Sequence, residues 1–197
     1  MSPKRELEDF IAALKVEFPN FKLIPKRESP LSRAIDLALK IATFGQQREF
    51  MSRYYTVIGD RLYLPDGFDD ADPRSVIVTL RHERVHLLQR RRLTFLGMAL
   101  VYLLLPFPVG LAYGRARLEW EAYRETLRAT LELFGEDALR SAALRTRIVS
   151  QFTSAAYLWM WPFKGSVERW YDEALEELLT PPTDARSSSS RRSARSK

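Results

Sequence analysis

The chain has 197 residues, 46% of them hydrophobic, with no cysteine, two histidines and a formal charge of +6. Its length suits one domain with a sizeable core, and the absence of cysteine excludes disulfides, thiolate metal sites and cysteine nucleophiles, so any metal here must take histidine and carboxylate ligands. The positive charge does not mark a specific nucleic-acid binder: Arg186, Arg191, Arg192, Arg195 and Lys197 carry five of the six net charges, which leaves residues 1–184 at about +1.

The polar start, Met1 to Glu8, is followed by no apolar region with a small-residue cleavage site, so a cytoplasmic protein is expected. Leu7, Phe10, Ile11 and Leu14 fall at helical spacing and predict an amphipathic first helix ending before Pro19. Phe21 to Ile24 reads as a short extended piece. Ser29 and Pro30 suit an N-cap and first helical residue of a mostly buried helix running through Ile35, Leu39 and Ala42 and stopping at Gly45. Tyr54 to Leu64 carries β-formers around Gly59-Asp60, the pattern of a two-strand hairpin. After an acidic loop, Asp72 caps a helix that starts at Pro73, is expected to run to about Arg91, and holds both histidines. Further helices are expected over Leu118 to Phe134, stopped by Gly135, over Asp137 to about Phe152, and over Ser166 to Leu179 before Pro181-Pro182. Residues 185–197 form a Ser/Arg-rich tail with nothing to bury, expected to be disordered. Residues 1–184 are expected to form a single α+β domain, mainly α, with one small β-hairpin or sheet.

The chemistry concentrates in His82-Glu83-Arg84-Val85-His86, an H-E-x-x-H arrangement on a helix. Four residues advance a helix by about 6 Å and slightly more than one turn, so both imidazoles leave one face and can converge on one ion. Glu83 sits at the rim, where its carboxylate can take a proton from a water activated by the metal. Catalytic zinc usually takes three protein ligands and leaves a position for water. With no third histidine, the remaining ligand must be a carboxylate, and Glu119, Glu121 and Glu125 follow at a useful distance.

The segment Glu119-Trp120-Glu121-Ala122-Tyr123 resembles the second motif, E-x-x-A-D, of the prenyl-protein type of zinc protease, one of the gluzincin metallopeptidases. The resemblance covers roughly residues 52–130 and implies a minigluzincin-like arrangement in which a hairpin and the H-E-x-x-H helix meet a glutamate helix. It nominates Glu119 as third ligand beside His82 and His86, with Zn²⁺ as cofactor and a peptide or protein as substrate. Tyr123 stands where the family has an aspartate that orients a zinc histidine, a role its hydroxyl would have to fill. A second frame, with Glu121 as ligand and Glu125 as orienting carboxylate, resembles the thermolysin-like E-x-x-x-D spacing. An oxyanion-stabilising donor is also needed; Tyr123, Arg124 and Tyr157 are candidates. An edge strand of the hairpin, Tyr54 to Ile58 or Arg61 to Leu64, would hold an extended substrate.

Leu93 to Gly114 carries no charge and is flanked by Arg90 to Arg92 and by Arg115. On length alone it suits a transmembrane helix, but a single crossing would separate His86 from Glu119 by a hydrocarbon layer about 30 Å thick. Spanning and shared metal ligation therefore exclude each other. Pro106, Pro108 and Gly110 predict a break with reversal, so that Leu93 to Leu105 packs as an apolar helix and the chain returns. Tyr157 to Phe163 is a second apolar run, expected to pack in the core. Two other expectations compete with this soluble metallopeptidase. One is a non-enzymatic binding or assembly module, distinguished by Glu119 and Glu121 both turning away from the histidines. The other is a peripheral or re-entrant membrane contact through residues 93–114 at the cytoplasmic face.

Overall fold

Ser2 accepts a hydrogen bond from the Arg5 amide and Pro3 follows it, so an orphan donor is satisfied and φ is preset where helix α1 (Pro3–Glu17) begins. The computed structural model describes residues 2–42, 50–53, 55–103, 111–154 and 160–180. Among them, α1 leads to strand β1 (Lys22–Pro25), a short 3-10 turn, and helices α2 (Pro30–Ala42) and α3 (Phe50–Arg53). The hairpin follows as β2 (Thr56–Ile58) and β3 (Arg61–Leu64), then α4 (Pro73–Leu103), α5 (Leu111–Phe134), α6 (Glu136–Leu139), α7 (Ala142–Thr153) and α8 (Lys164–Leu179). The fold is α+β and mainly α, as the sequence pattern predicts.

The hairpin turns at Gly59-Asp60 with Gly59 at φ +66, a left-handed conformation that costs glycine little. The sheet is larger than a hairpin, because β1 pairs in parallel with β3 from Lys22 opposite Arg61 to Pro25 opposite Leu64. Strand β3 is therefore central, and Arg61 to Leu64 is not an edge available to a peptide; β2 and β1 are the edges. Parallel pairing needs a long crossover, and α2 and α3 provide it. Over residues 30–37 α2 is largely exposed, with Leu31 and Leu37 facing solvent, while the burial of Leu39 and Ala42 lies outside what is described. Its Ser29 cap is present, accepting from the Ser32 amide at 3.1 Å. The expected stop at Gly45 lies outside the described residues.

Asp72 caps α4 by accepting from the Ser75 amide at 2.9 Å. The helix does not end near Arg91 but continues unbroken to Leu103, because nothing between Arg91 and Leu103 is a proline and Gly97 alone costs too little to stop it. Likewise α5 begins at Leu111, seven residues earlier than the apolar spacing suggests, and ends at Gly135, whose φ is +84. The helix expected from Asp137 to Phe152 is two: Arg140 ends α6, and Ser141 caps α7 by accepting from the Leu144 amide. The Ser/Arg-rich tail lies outside the described residues.

Helices α4 and α5 pack side by side and separate two cores. On one side Leu14, Phe18, Leu62, Leu64, Val76, Leu80 and Leu87 join α1, the sheet and α4. On the other Trp120, Leu127, Ile148, Phe152, Val167 and Tyr171 join α5, α7 and α8. Burying a side chain such as Leu62 or Leu80 contributes roughly 2 to 3 kcal/mol. Ion pairs then fix how α4 sits. Arg84 grips Glu17 of α1 through two bonds of 2.6 and 2.7 Å, Arg90 reaches Asp60 in the hairpin turn at 2.8 Å, and Arg81 bridges Glu125 and Glu132 of α5.

Candidate metal centre

His82 and His86 lie one turn apart on α4 and face α5, where Glu119 meets them. The two Nε2 atoms are 3.2 Å apart, and Glu119 Oε2 is 3.6 Å from His86 Nε2 and 4.0 Å from His82 Nε2. Tetrahedral zinc with metal–nitrogen bonds near 2.05 Å requires ligand atoms about 3.3 Å apart. The triangle is thus of the right size, and a small inward movement of the Glu119 carboxylate would close it. Among the described residues this is the group of three acidic or histidine side chains that could hold a metal ion.

Both imidazoles are held from behind. Gln89, only 2% exposed, donates through Nε2 to the Leu118 carbonyl and to the Glu121 carboxylate, each at 2.9 Å, so its Oε1 is left to accept from His86 Nδ1 at 2.9 Å. Thr126 donates its hydroxyl hydrogen to the Ala122 carbonyl at 3.3 Å and accepts from His82 Nδ1 at 3.0 Å. Each Nδ1 therefore carries the hydrogen, and in the neutral ring each Nε2 presents a lone pair to the other across 3.2 Å. Two facing lone pairs with a carboxylate beside them repel unless a cation lies between them. In the metal-free protein that cation is a proton. Burial opposes charge on His86, but the hydrogen bond to and charge of Glu119 outweigh it and carry its pKa up to about 9. Burial and the neighbouring His86 charge push His82 down to about 3, so it stays neutral. Glu119 is held down at about 2: burial works against its ionisation, and the hydrogen bond to and charge of His86 overcome that. The donor set, two neutral-capable imidazoles and one ionised carboxylate, fits a divalent ion such as zinc.

Glu83 stands beside this cluster. Burial pushes its carboxyl up to about 7, with the Glu119 charge adding and the charges of His86 and Lys26 opposing. Lys26, fully buried at the end of β1, is lowered to about 8 by its burial, against the attraction of Asp36, Asp66 and Glu83. Tyr55, at the start of the hairpin, is raised by burial and by the Glu83 charge.

The structure brings His82, His86 and Glu119 together and leaves Glu121 outside, paired with Gln89 and, at 3.4 Å, with Arg92. Glu125 is occupied by Arg81 and Arg128 rather than by a histidine. Tyr123 packs its ring edge-on to His82, centroids 4.7 Å apart, and Thr126 and the Ala122 carbonyl also bond His82. Arg124 pairs with Glu177 of α8, and Tyr157 lies outside the described residues. Sequence reasoning missed Gln89, Thr126, Lys26 and Tyr55. Two of these left a signal: Gln89 lies three residues after His86 and Thr126 seven after Glu119, so each is a polar residue on the ligand-bearing face of its helix. Lys26 and Tyr55 left none, since only the parallel β1–β3 pairing and the hairpin bring them near Glu83. No family model, curated protein or solved structure matches the chain.

Proposed function

We propose that the protein is a zinc-dependent hydrolase of peptide bonds, with His82, His86 and Glu119 holding the ion and Glu83 as general base. The observation that carries the reading is the triangle of Nε2, Nε2 and Oε2 atoms with both Nδ1 atoms already committed to Gln89 and Thr126. Such pinning leaves the ligand lone pairs aimed inward before any ion arrives, which lowers the ordering cost of binding. When bound, zinc supplies Lewis acidity, lowering the pKa of water to about 7 and polarising a carbonyl. Glu83, one residue from His82 on the same helix, would accept a proton from that water and return it to a leaving amine. Lys26 lies within electrostatic reach of Glu83, and its positive charge favours the ionised carboxylate that the base must be. Both Glu119 and Glu121 turned away from the histidines would favour a non-enzymatic binding or assembly module, and Glu119 faces them.

Elemental analysis of the purified protein tests the first half: one zinc per chain is expected, lost in His86→Ala. Peptide hydrolysis tests the second. Glu83→Gln is expected to keep its zinc and lose turnover; a Glu83→Gln protein with full hydrolytic activity would refute the mechanism.

A further inference from the structure

The sheet carries two cations that the metal cluster does not use. Lys22 on β1 and Arg61 on β3 are register partners in the parallel ladder, and Arg61 also stands directly opposite Ile58 on β2. Partners in register share a face of the sheet, so Lys22, Arg61 and Ile58 form one row across it. Leu23, Leu62 and Val57 alternate with them along the strands and pack in the core beside α4. The row therefore lies on the outer face, where Lys22 and Arg61 are exposed and Ile58 is 37% exposed. Among the described residues neither cation has an ion-pair partner. Like charges in register are destabilising, and an acidic side chain brought to this row would relieve that repulsion.

The distance of this row from the metal cluster follows from how the hairpin is tied down. Arg90 of α4 donates to the Asp60 carboxylate in the turn at 2.8 Å, and the Asp60 carbonyl accepts from the Lys22 amide at 3.0 Å. Both ends of the row are thereby held at the level of Arg90. His86 lies four residues before Arg90, about 6 Å along the helix. At the other end of β2, Tyr55 lies within electrostatic reach of Glu83. Edge strand β2 thus passes from the level of Glu83 to that of Arg90, running by the cluster. About 6 Å is two residues of extended chain. A peptide added to β2 with its scissile bond at the cluster would set a residue two positions away beside Ile58. Arg61 is then two strand spacings from that residue, about 10 Å between backbones, a gap that an arginine and a glutamate side chain close together.

We propose that Arg61, with Lys22 behind it, selects peptides that carry Asp or Glu about two residues from the bond to be cut. The inference rests on the proposed hydrolysis and names a substrate class for the same site. Charge decides against a basic side chain at that position, and the exposure of both cations keeps the selection modest. An exposed ion pair favours the acidic peptide by up to about fivefold, and salt weakens the preference.

Two measurements on the full zinc-loaded chain test it. Digestion of a random peptide library, with cut sites read by mass spectrometry, reports the preference in turnover. Fluorescence anisotropy of a labelled glutamate peptide and its lysine counterpart on Glu83→Gln reports binding without turnover. Acidic residues should be enriched at one position about two from the cut, and the glutamate peptide should bind up to about fivefold more tightly at low salt. Arg61→Glu should reverse both results while zinc content and far-ultraviolet circular dichroism stay as in the parent, and Lys22→Gln should shrink them. Cutting without acidic enrichment, or enrichment that Arg61→Glu leaves in place, would overturn the inference and leave the hydrolysis standing. A zinc-loaded parent that cuts nothing would refute the hydrolysis instead, and equal binding of the two peptides would overturn the acidic preference whatever the digestion shows.

Discussion

Gln89→Leu removes the group that holds His86 while keeping nearly the same volume. Gln89 is almost fully buried and makes three hydrogen bonds of 2.9 Å, but they are not equally missed. The Leu118 carbonyl keeps its place in the α5 ladder, and Glu121, about half exposed, is resolvated. The buried Nδ1 hydrogen of His86 alone loses its only side-chain acceptor, at a cost of roughly 1 to 3 kcal/mol. For a domain of this size that lowers the melting temperature of the metal-free protein by roughly 2 to 10 °C. The larger consequence is for the metal. An imidazole freed to rotate no longer aims Nε2 at its partners, and loss of such a supporting bond lowers metal affinity about 10- to 100-fold. Competitive titration against a chromophoric zinc chelator measures the affinity, and a thermal melt in excess chelator measures the stability. Glu121→Gln serves as control, because its exposed contact is worth less than about 1 kcal/mol. A Gln89→Leu protein that binds zinc as tightly as the parent would refute the claim that the committed Nδ1 bond prepares the site.

Glu83 also shapes stability against pH. Its pKa is raised in the folded state to about 7, so between the ordinary carboxyl range and pH 7 the folded chain holds a proton that the unfolded chain has released, and stability falls as pH rises through that window. Metal-free Glu83→Gln should therefore be more stable than the parent at pH 8, by up to about 3 kcal/mol, with the gain vanishing near pH 4; chelator-treated melts across this range would expose an unchanged difference. Asp72 behaves oppositely. The Ser75 amide and hydroxyl hold its pKa down, so its contribution is present above the unfolded carboxyl pKa and lost as pH falls through the lower folded value. Asp72→Ala should cost about 1 kcal/mol at pH 7 and less once Asp72 is protonated in both states, where only a neutral cap is lost, as read by urea denaturation at the two pH values.

Much of the fold was legible because its signals are local. Ser29-Pro30, Asp72-Pro73, Gly59-Asp60 and Gly135 mark where elements start, turn or stop, and each acts through its own backbone preference. Boundaries failed where the local signal was silent or misleading. Arg90 to Arg92 reads as a polar end to a helix, yet long arginine side chains reach Asp60, Glu17 and Glu121 from an unbroken α4. The membership of β1 in the sheet depends on a partner distant in sequence, which periodicity does not name.

For the candidate site the division follows the same line. The order of residues by itself determined that His82, Glu83 and His86 share one helix face, because helical geometry converts a spacing of four into proximity. It also restricted the third position to a carboxylate, since the chain has no cysteine and no other histidine. Only the packing of α4 against α5 decided that Glu119 rather than Glu121 meets the imidazoles, and that Gln89 and Thr126 orient them. Successive residues of one helix point about a hundred degrees apart, so which glutamate faces inward is set by how the two helices are rotated about their axes. That rotation is fixed by the cores on either side and by Arg81 bridging to Glu125 and Glu132, the bridges joining residues more than forty positions apart.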